Sequence, residues 1–180
     1  MNHNKLIQNI IDQIKEAQLK LGYVKETVRL YYPAASLNTL LGIMTKDADE
    51  LVTLLKSEPS FADTVLGTLQ FTVCSGRIEI SISPDGAEYV YREVPSSPFL
   101  ADIIELFGKH HNCTLKDICD VFGKYSDDYT CEEMPQGMDF DYALHFNDDT
   151  IDPYYYCIKA EMGHTIYHRF TKEDYCVLTQ

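Results

Sequence analysis

The chain has 180 residues, 45% of them hydrophobic, and a formal net charge of −13. That length and apolar content suit a folded core that needs no metal or disulfide staple. The acidity argues against sequence-independent nucleic-acid binding, which needs Lys and Arg to neutralise phosphates, and against docking on anionic lipid.

Asn4 to Leu21 predicts a helix. Leu6, Ile7, Ile10, Ile11, Ile14, Ala17 and Leu21 recur at three and four residues and form one apolar stripe. Asn4 is read as its cap and Gly22 as its stop. Thr27 to Tyr32 has strand propensity and ends at Pro33. Ser36 to Leu41 is a short helix stopped by Gly42, and Asp47 to Lys56 is another, with acids in its first turn that suit the helix dipole.

A three-stranded meander is expected next. Leu66 to Cys74 is its first strand, and Ser75-Gly76 a two-residue turn. Arg77 to Ser83 alternates, with Ile78, Ile80 and Ile82 on one face. Pro84-Asp85-Gly86 reads as a turn, and Ala87 to Val94 as the returning strand. One face of this sheet should be wet.

Two prolines in Pro95-Ser96-Ser97-Pro98 mark the best internal boundary, dividing residues 1–95 from 98–180. Phe99 to Gly108 and Thr114 to Gly123 or Lys124 are helices. Thr114 and Asp117 have the spacing of a capping box, with Asp in place of Glu or Gln. Residues 127–152 hold nine Asp or Glu and no Lys or Arg, and read as a solvated acidic loop broken at Met134-Pro135-Gln136-Gly137. Phe140 to Phe146 alternates as a strand. Tyr154 to Glu161 and His164 to Phe170 form a hairpin around Met162-Gly163, and Thr171 to Leu178 a last helix.

This pattern predicts one α+β domain over residues 1–180, with antiparallel meanders packed against helices. The order of elements also suggests two similar helix-helix-meander halves, whose last strands, AEYVYR and HTIYHR, look alike. The N-terminal stretch lacks the continuous apolar core of a signal peptide, so a cytoplasmic location is expected, with all six cysteines reduced. No run approaches the roughly 18 apolar residues of a membrane span.

The densest chemistry lies in Asp152 to Phe170. His164 and His168 are four apart, but HTIYH lacks the Glu of HExxH, and on a strand the two imidazoles sit roughly 13 Å apart. His168 is therefore read as a core histidine. His110, His111 and Cys113, followed by Cys119, lack zinc-site spacing. No metal or cofactor is expected.

Alternation sends Tyr154, Tyr156, Ile158, Ile166, His168 and Phe170 to the core. The other face then gathers Asp141 and His145 with Tyr155, Cys157, Lys159, Tyr167 and Arg169. A small enzyme would use His145, Cys157 and Arg169, since a thiol beside an imidazole is a nucleophile pattern. Tyr155, Lys159, Tyr167 and Arg169 would instead bind a small anionic ligand. The acidic run has no EF-hand order. P-loop, GxGxxG, GxSxG and CxxC motifs are absent, which removes support for nucleotide, serine-hydrolase and thioredoxin-like functions.

LGYVKETVRLYYPAASLNTLLG (residues 21–42) and YYYCIKAEMGHTIYHRFTKEDY (residues 154–175) resemble segments of an uncharacterised family of short bacterial proteins, a domain of unknown function. The resemblance implies a bacterial α+β protein and carries no activity or functional residue. The leading expectation is a non-enzymatic cytoplasmic binding or interaction module that uses its acidic surface, for a basic protein, or the aromatic sheet face, for a small anionic ligand. The small enzyme and an immunity-like protein that neutralises a basic partner are the alternatives.

Overall fold

Apolar stripes, most with capped ends, set the helices, and two-residue turns set two of the strand pairings. The computed structural model describes residues 1–109 and 112–179. The fold is α+β, with helices and two antiparallel sheets, and the chain divides into two compact units, Met1–Pro95 and Ser96–Gln180. No helix among the described residues is long and apolar enough to cross a membrane.

The first unit opens with α1 (His3–Leu21), capped by the Asn2 side chain, which accepts from the Lys5 amide at 3.2 Å. The cap lies two residues before the predicted one. Strand β1 (Val28–Tyr32) follows, then α2 (Ala34–Leu41), α3 (Ala48–Ser57) and a 3-10 turn at Pro59–Phe61. Strands β2 (Gln70–Cys74) and β3 (Arg77–Ile82) make the expected hairpin, with Ser75 and Gly76 both at positive φ. That left-handed pair matches the twist of the flanking strands.

The third strand of this sheet is not Ala87 to Val94. It is β1, and the order is β1-β3-β2 with β3 in the middle. Leu30 pairs with Ile80, and Ile80 pairs on its other side with Phe71, so one face is continuously apolar against the helices. Arg29, Glu79, Ser81 and Thr72 lie on the opposite face.

Residues 84–93 instead form α4 (Pro84–Glu93). Ser83 caps it by accepting from the Gly86 amide at 3.2 Å, and Pro84 occupies the first turn, where its missing N–H costs nothing. Ala87 and Val90, three apart, are buried. Lys15 of α1 donates to the Val90 and Tyr91 carbonyls at the far end of α4, and Gln18 donates to the Ala87 carbonyl at 2.8 Å. Burial lowers the Lys15 ammonium from its ordinary range. Gly86 is required by close approach, because a Cβ there would lie 2.3 Å from the Leu66 carbonyl oxygen and 2.8 Å from Ile82.

The second unit contains α5 (Pro98–Lys109), α6 (Leu115–Tyr125), β4 (Tyr129–Glu133), β5 (Tyr142–Phe146), β6 (Tyr155–Glu161), β7 (His164–Phe170) and α7 (Lys172–Leu178). Its sheet runs in sequence order, β4-β5-β6-β7. The Thr114–Asp117 capping box forms in both directions. Strand β4 lies inside the acidic run that had read as a loop. Its pairing of Tyr129 with Phe146 and Cys131 with Leu144 carries it into the sheet.

One face of this sheet packs on α5 and α6 around Phe99. The Phe99 ring lies 4.7–5.5 Å from those of Phe146, Phe122, Tyr156 and Tyr125, mostly edge to face. The halves are therefore not copies. One sheet recruits a distant strand and the other is a sequential meander, and AEYVYR is helical where HTIYHR is extended.

Candidate functional site

The face of the second sheet away from α5 and α6 holds the residues that could do chemistry, and register decides which. Met162 and Gly163 both sit at positive φ, forming a two-residue turn that pairs Glu161 with His164. Such a turn sets odd-numbered residues of β6 opposite even-numbered residues of β7. Tyr155 therefore faces Phe170, Cys157 faces His168, and Lys159 faces Ile166. Tyr156 faces Arg169, and Ile158 faces Tyr167.

This splits the predicted set and corrects the predicted faces. His145, Tyr155, Cys157 and Lys159 stay on the outer face, joined by Ile166, His168 and Phe170. Tyr167 and Arg169 lie on the helix side. There the Tyr167 ring packs 4.8 Å from Phe107, and the Arg169 guanidinium sits 4.1 Å over the Tyr154 ring. Tyr155 and Lys159 thus do not converge with Tyr167 and Arg169 on one anion site. His168 is exposed, not a core histidine, and packs 5.3 Å from Phe140.

The outer face is built around a stack. The His145 ring lies 4.1 Å from Tyr155, and Tyr155 lies 4.2 Å from Tyr175 of α7. The Tyr175 hydroxyl donates to Glu132 of β4 at 2.9 Å. Burial and that carboxylate together push the Tyr175 phenol well above its usual range. Helix α7 is held in place by its Thr171 cap and by this bond, and beneath it Ala143 and Cys157 are wholly buried.

Cys157 is poorly placed as a nucleophile. Burial, and then Glu132, push its thiol up to about 12, so almost none is thiolate at neutral pH. The His145 Nδ1 lies 3.0 Å from the Phe146 carbonyl oxygen. Among the described residues neither His145 nor His168 hydrogen-bonds the Cys157 thiol, and Arg169 is on the other side of the sheet. A buried carboxylate, Asp152, accepts from the Tyr154 amide at 3.1 Å and the Tyr156 hydroxyl at 3.2 Å.

His164 and His168 stand on one strand, as expected, and no group of three metal-ligating side chains occurs among the described residues. His110 and His111 of the other predicted cluster lie outside the described residues. Cys113, next to them, is buried, and its carbonyl accepts from the Thr165 hydroxyl at 2.8 Å.

The family model described as a domain of unknown function, E. rectale gene description (DUF3877), matches residues 3–179. The chain belongs to this family. No curated protein and no solved structure matches. For this DUF3877 chain, then, its own surface has to supply the functional argument, and the acidic run is its most distinctive part.

The carboxylates of that run divide by use. Asp128, Glu132, Asp141, Asp148 and Asp152 accept hydrogen bonds within the unit. Asp127, Glu133, Asp139 and Asp149 are exposed and form no ion pair among the described residues. Four of the unit's five lysines are engaged elsewhere: Lys109 with Glu105, Lys116 with Asp120, Lys124 with Asp102 and Lys159 with Glu161. Glu132 and Tyr175 were not singled out from sequence. The alternation Tyr129, Cys131, Glu133 is the one signal that could have exposed β4 and, through it, Glu132.

Proposed function

We propose that this chain is a non-enzymatic cytoplasmic binding module that captures a basic protein through the acidic run of its second unit. The observation that carries the reading is the uneven distribution of charge. Residues 1–95 carry nine Lys or Arg against 12 Asp or Glu, a net of −3, whereas residues 96–180 carry six against 16, a net of −10. Within the second unit four of the five lysines neutralise acids on the helices and the last hairpin, and Asp127, Glu133, Asp139 and Asp149 form no ion pair among the described residues. A one-signed patch of this kind raises encounter rates with an opposite charge and disfavours like-charged partners.

The supporting geometry is the site's lack of an assembled catalytic group. Cys157 is buried, its thiol is protonated at neutral pH, and no imidazole is hydrogen-bonded to it among the described residues.

The test is capture from a bacterial lysate by the immobilised chain at about 50 mM and about 500 mM salt, spanning strong and weak screening. A D127K/E133K/D139K/D149K variant is run beside it. Basic proteins held by the wild type at low salt should be released at high salt and missed by the variant. Capture of the same set by both chains, at both salts, would sink the reading.

A further inference from the structure

A second cluster lies on the helix side of the same sheet, at the junction of α6 and β4. Pairing with Leu144 turns Cys131 toward the helices, and Cys119 projects from the apolar side of α6 onto the same core. Both cysteines therefore lie on the helix side at the contact of α6 with β4, where Cys119 bears on the Cys131 thiol. Cys131 is exposed and Cys119 is half-buried, so a small molecule can reach the first and the second can follow. Of the other cysteines, Cys113 and Cys157 are buried, while Cys74 on β2 and Cys176 on α7 are exposed.

We propose that Cys119 and Cys131 form a dithiol modification site that closes to an intramolecular disulfide by exchange with a small-molecule disulfide such as oxidised glutathione. The Cys131 thiolate attacks one sulfur of the oxidant, and the S–S bond breaks with loss of one thiolate. This leaves a mixed disulfide on Cys131. The Cys119 thiolate then attacks the Cys131 sulfur and expels the second thiolate. The two protein thiols are oxidised by two electrons, and the small disulfide is reduced to two thiols, which take up the two protons. In a reducing compartment the pair rests open. Cys131 is the entry point because it is the exposed member. The residue is exposed at the sheet edge, but its sulfur is turned toward the helices, and that partial desolvation together with the neighbouring Cys119 pushes the thiol up to about 11, so closure should be slow at neutral pH. The ring so formed encloses Asp127 and Asp128 and ties α6 to β4, and the site stands whether or not the acidic run binds a partner.

The experiment is incubation of the reduced, folded chain, with the exposed Cys74 and Cys176 replaced by serine, with oxidised glutathione, followed by alkylation and intact and peptide mass spectrometry. The expected product is a monomer about 2 Da lighter, with its one disulfide mapped to Cys119 and Cys131. Its rate of formation should rise about tenfold per pH unit between about pH 7 and pH 9, as Cys131 ionises. C119S should stop at a glutathione adduct on Cys131, and C131S should show no closure. Circular dichroism confirms that both variants remain folded. A stable adduct on Cys131 while Cys119 is present, a covalent dimer, a disulfide drawing on another cysteine, or an unchanged thiol count would each overturn the proposal.

Discussion

The two units solve the same packing problem with different handling of charge. In the first, acids sit beside bases: Lys25 bridges Asp85 and Glu88, Arg92 reaches Glu88, Arg29 approaches Glu79, and Lys20 pairs with Glu16. In the second, four of the five lysines serve the helices and the last hairpin, and the acids of the β4–β5 region form no ion pair among the described residues. The topologies differ in parallel. The first sheet brings β1 back to β3 across the intervening helices, while the second pairs neighbours in sequence. A meander places few demands on long-range closure, so its surface positions are freer to carry an unbalanced charge.

Three changes sharpen that contrast. The largest effect belongs to Phe99→Ala, which removes the hub of the second unit's aromatic core at a cost of about 3–5 kcal/mol. In native-state hydrogen exchange, amides of β5 and β6 should lose protection while those of β3 keep theirs. Equal losses in both sheets would show that the units do not unfold separately. Next is Gly86→Ala, which forces a methyl against the Leu66 carbonyl oxygen in the first unit and should cost about 1–3 kcal/mol. Urea unfolding should show the lowered midpoint, and the exchange pattern should be the mirror image, with β3 and α4 exposed first.

The smallest effect concerns pH. Lys124 first, and then the Tyr125 hydroxyl, hold the Asp102 carboxyl below its ordinary range. A carboxylate with a depressed folded value contributes stability that is present above its unfolded value, near 3.8, and lost as pH falls through the folded one. Asp102→Asn should therefore lower the melting temperature at neutral pH, by an amount matching at most about 1 kcal/mol for so exposed a partner. The two curves should converge in strong acid. A gap that persists at low pH would mean that the substitution acts through packing.

Much of this was legible in the residues. Ser75-Gly76, Met162-Gly163 and the Thr114–Asp117 pair each name one backbone geometry, and each forms. AEYVYREV was misread because its apolar residues fit two periods. Ala87, Tyr89 and Tyr91 alternate like a strand, while Ala87 and Val90 share a helical face. The Ser83 cap and Pro84, outside the ambiguous stretch, decide it. Strand β4 was hidden because Glu132 and Glu133 disfavour the strand, and only pairing with β5 offsets that.

The candidate site was less legible. The composition of the hairpin suggested which residues matter, but side-chain hydrophobicity suggested the wrong face for β7. Turn geometry overrules it: Arg169 goes to the helix side because its guanidinium can lie on Tyr154, and His168 is turned outward opposite Cys157. The Cys119–Cys131 meeting depends on β4 and could not be read before that strand was placed.

The meander ends in two open edges, β4 and β7, and an open edge invites a second copy of the same chain to add its own strand. On β4 that invitation is answered by Glu132 and Glu133, side by side at the end of the strand. Two copies approaching edge to edge would bring like charges together. Glu133, one of the carboxylates proposed to attract a basic partner, would thus also disfavour edge-to-edge pairing of two copies. Any sequence drift that trades this acidity away would give up that protection along with the proposed recognition.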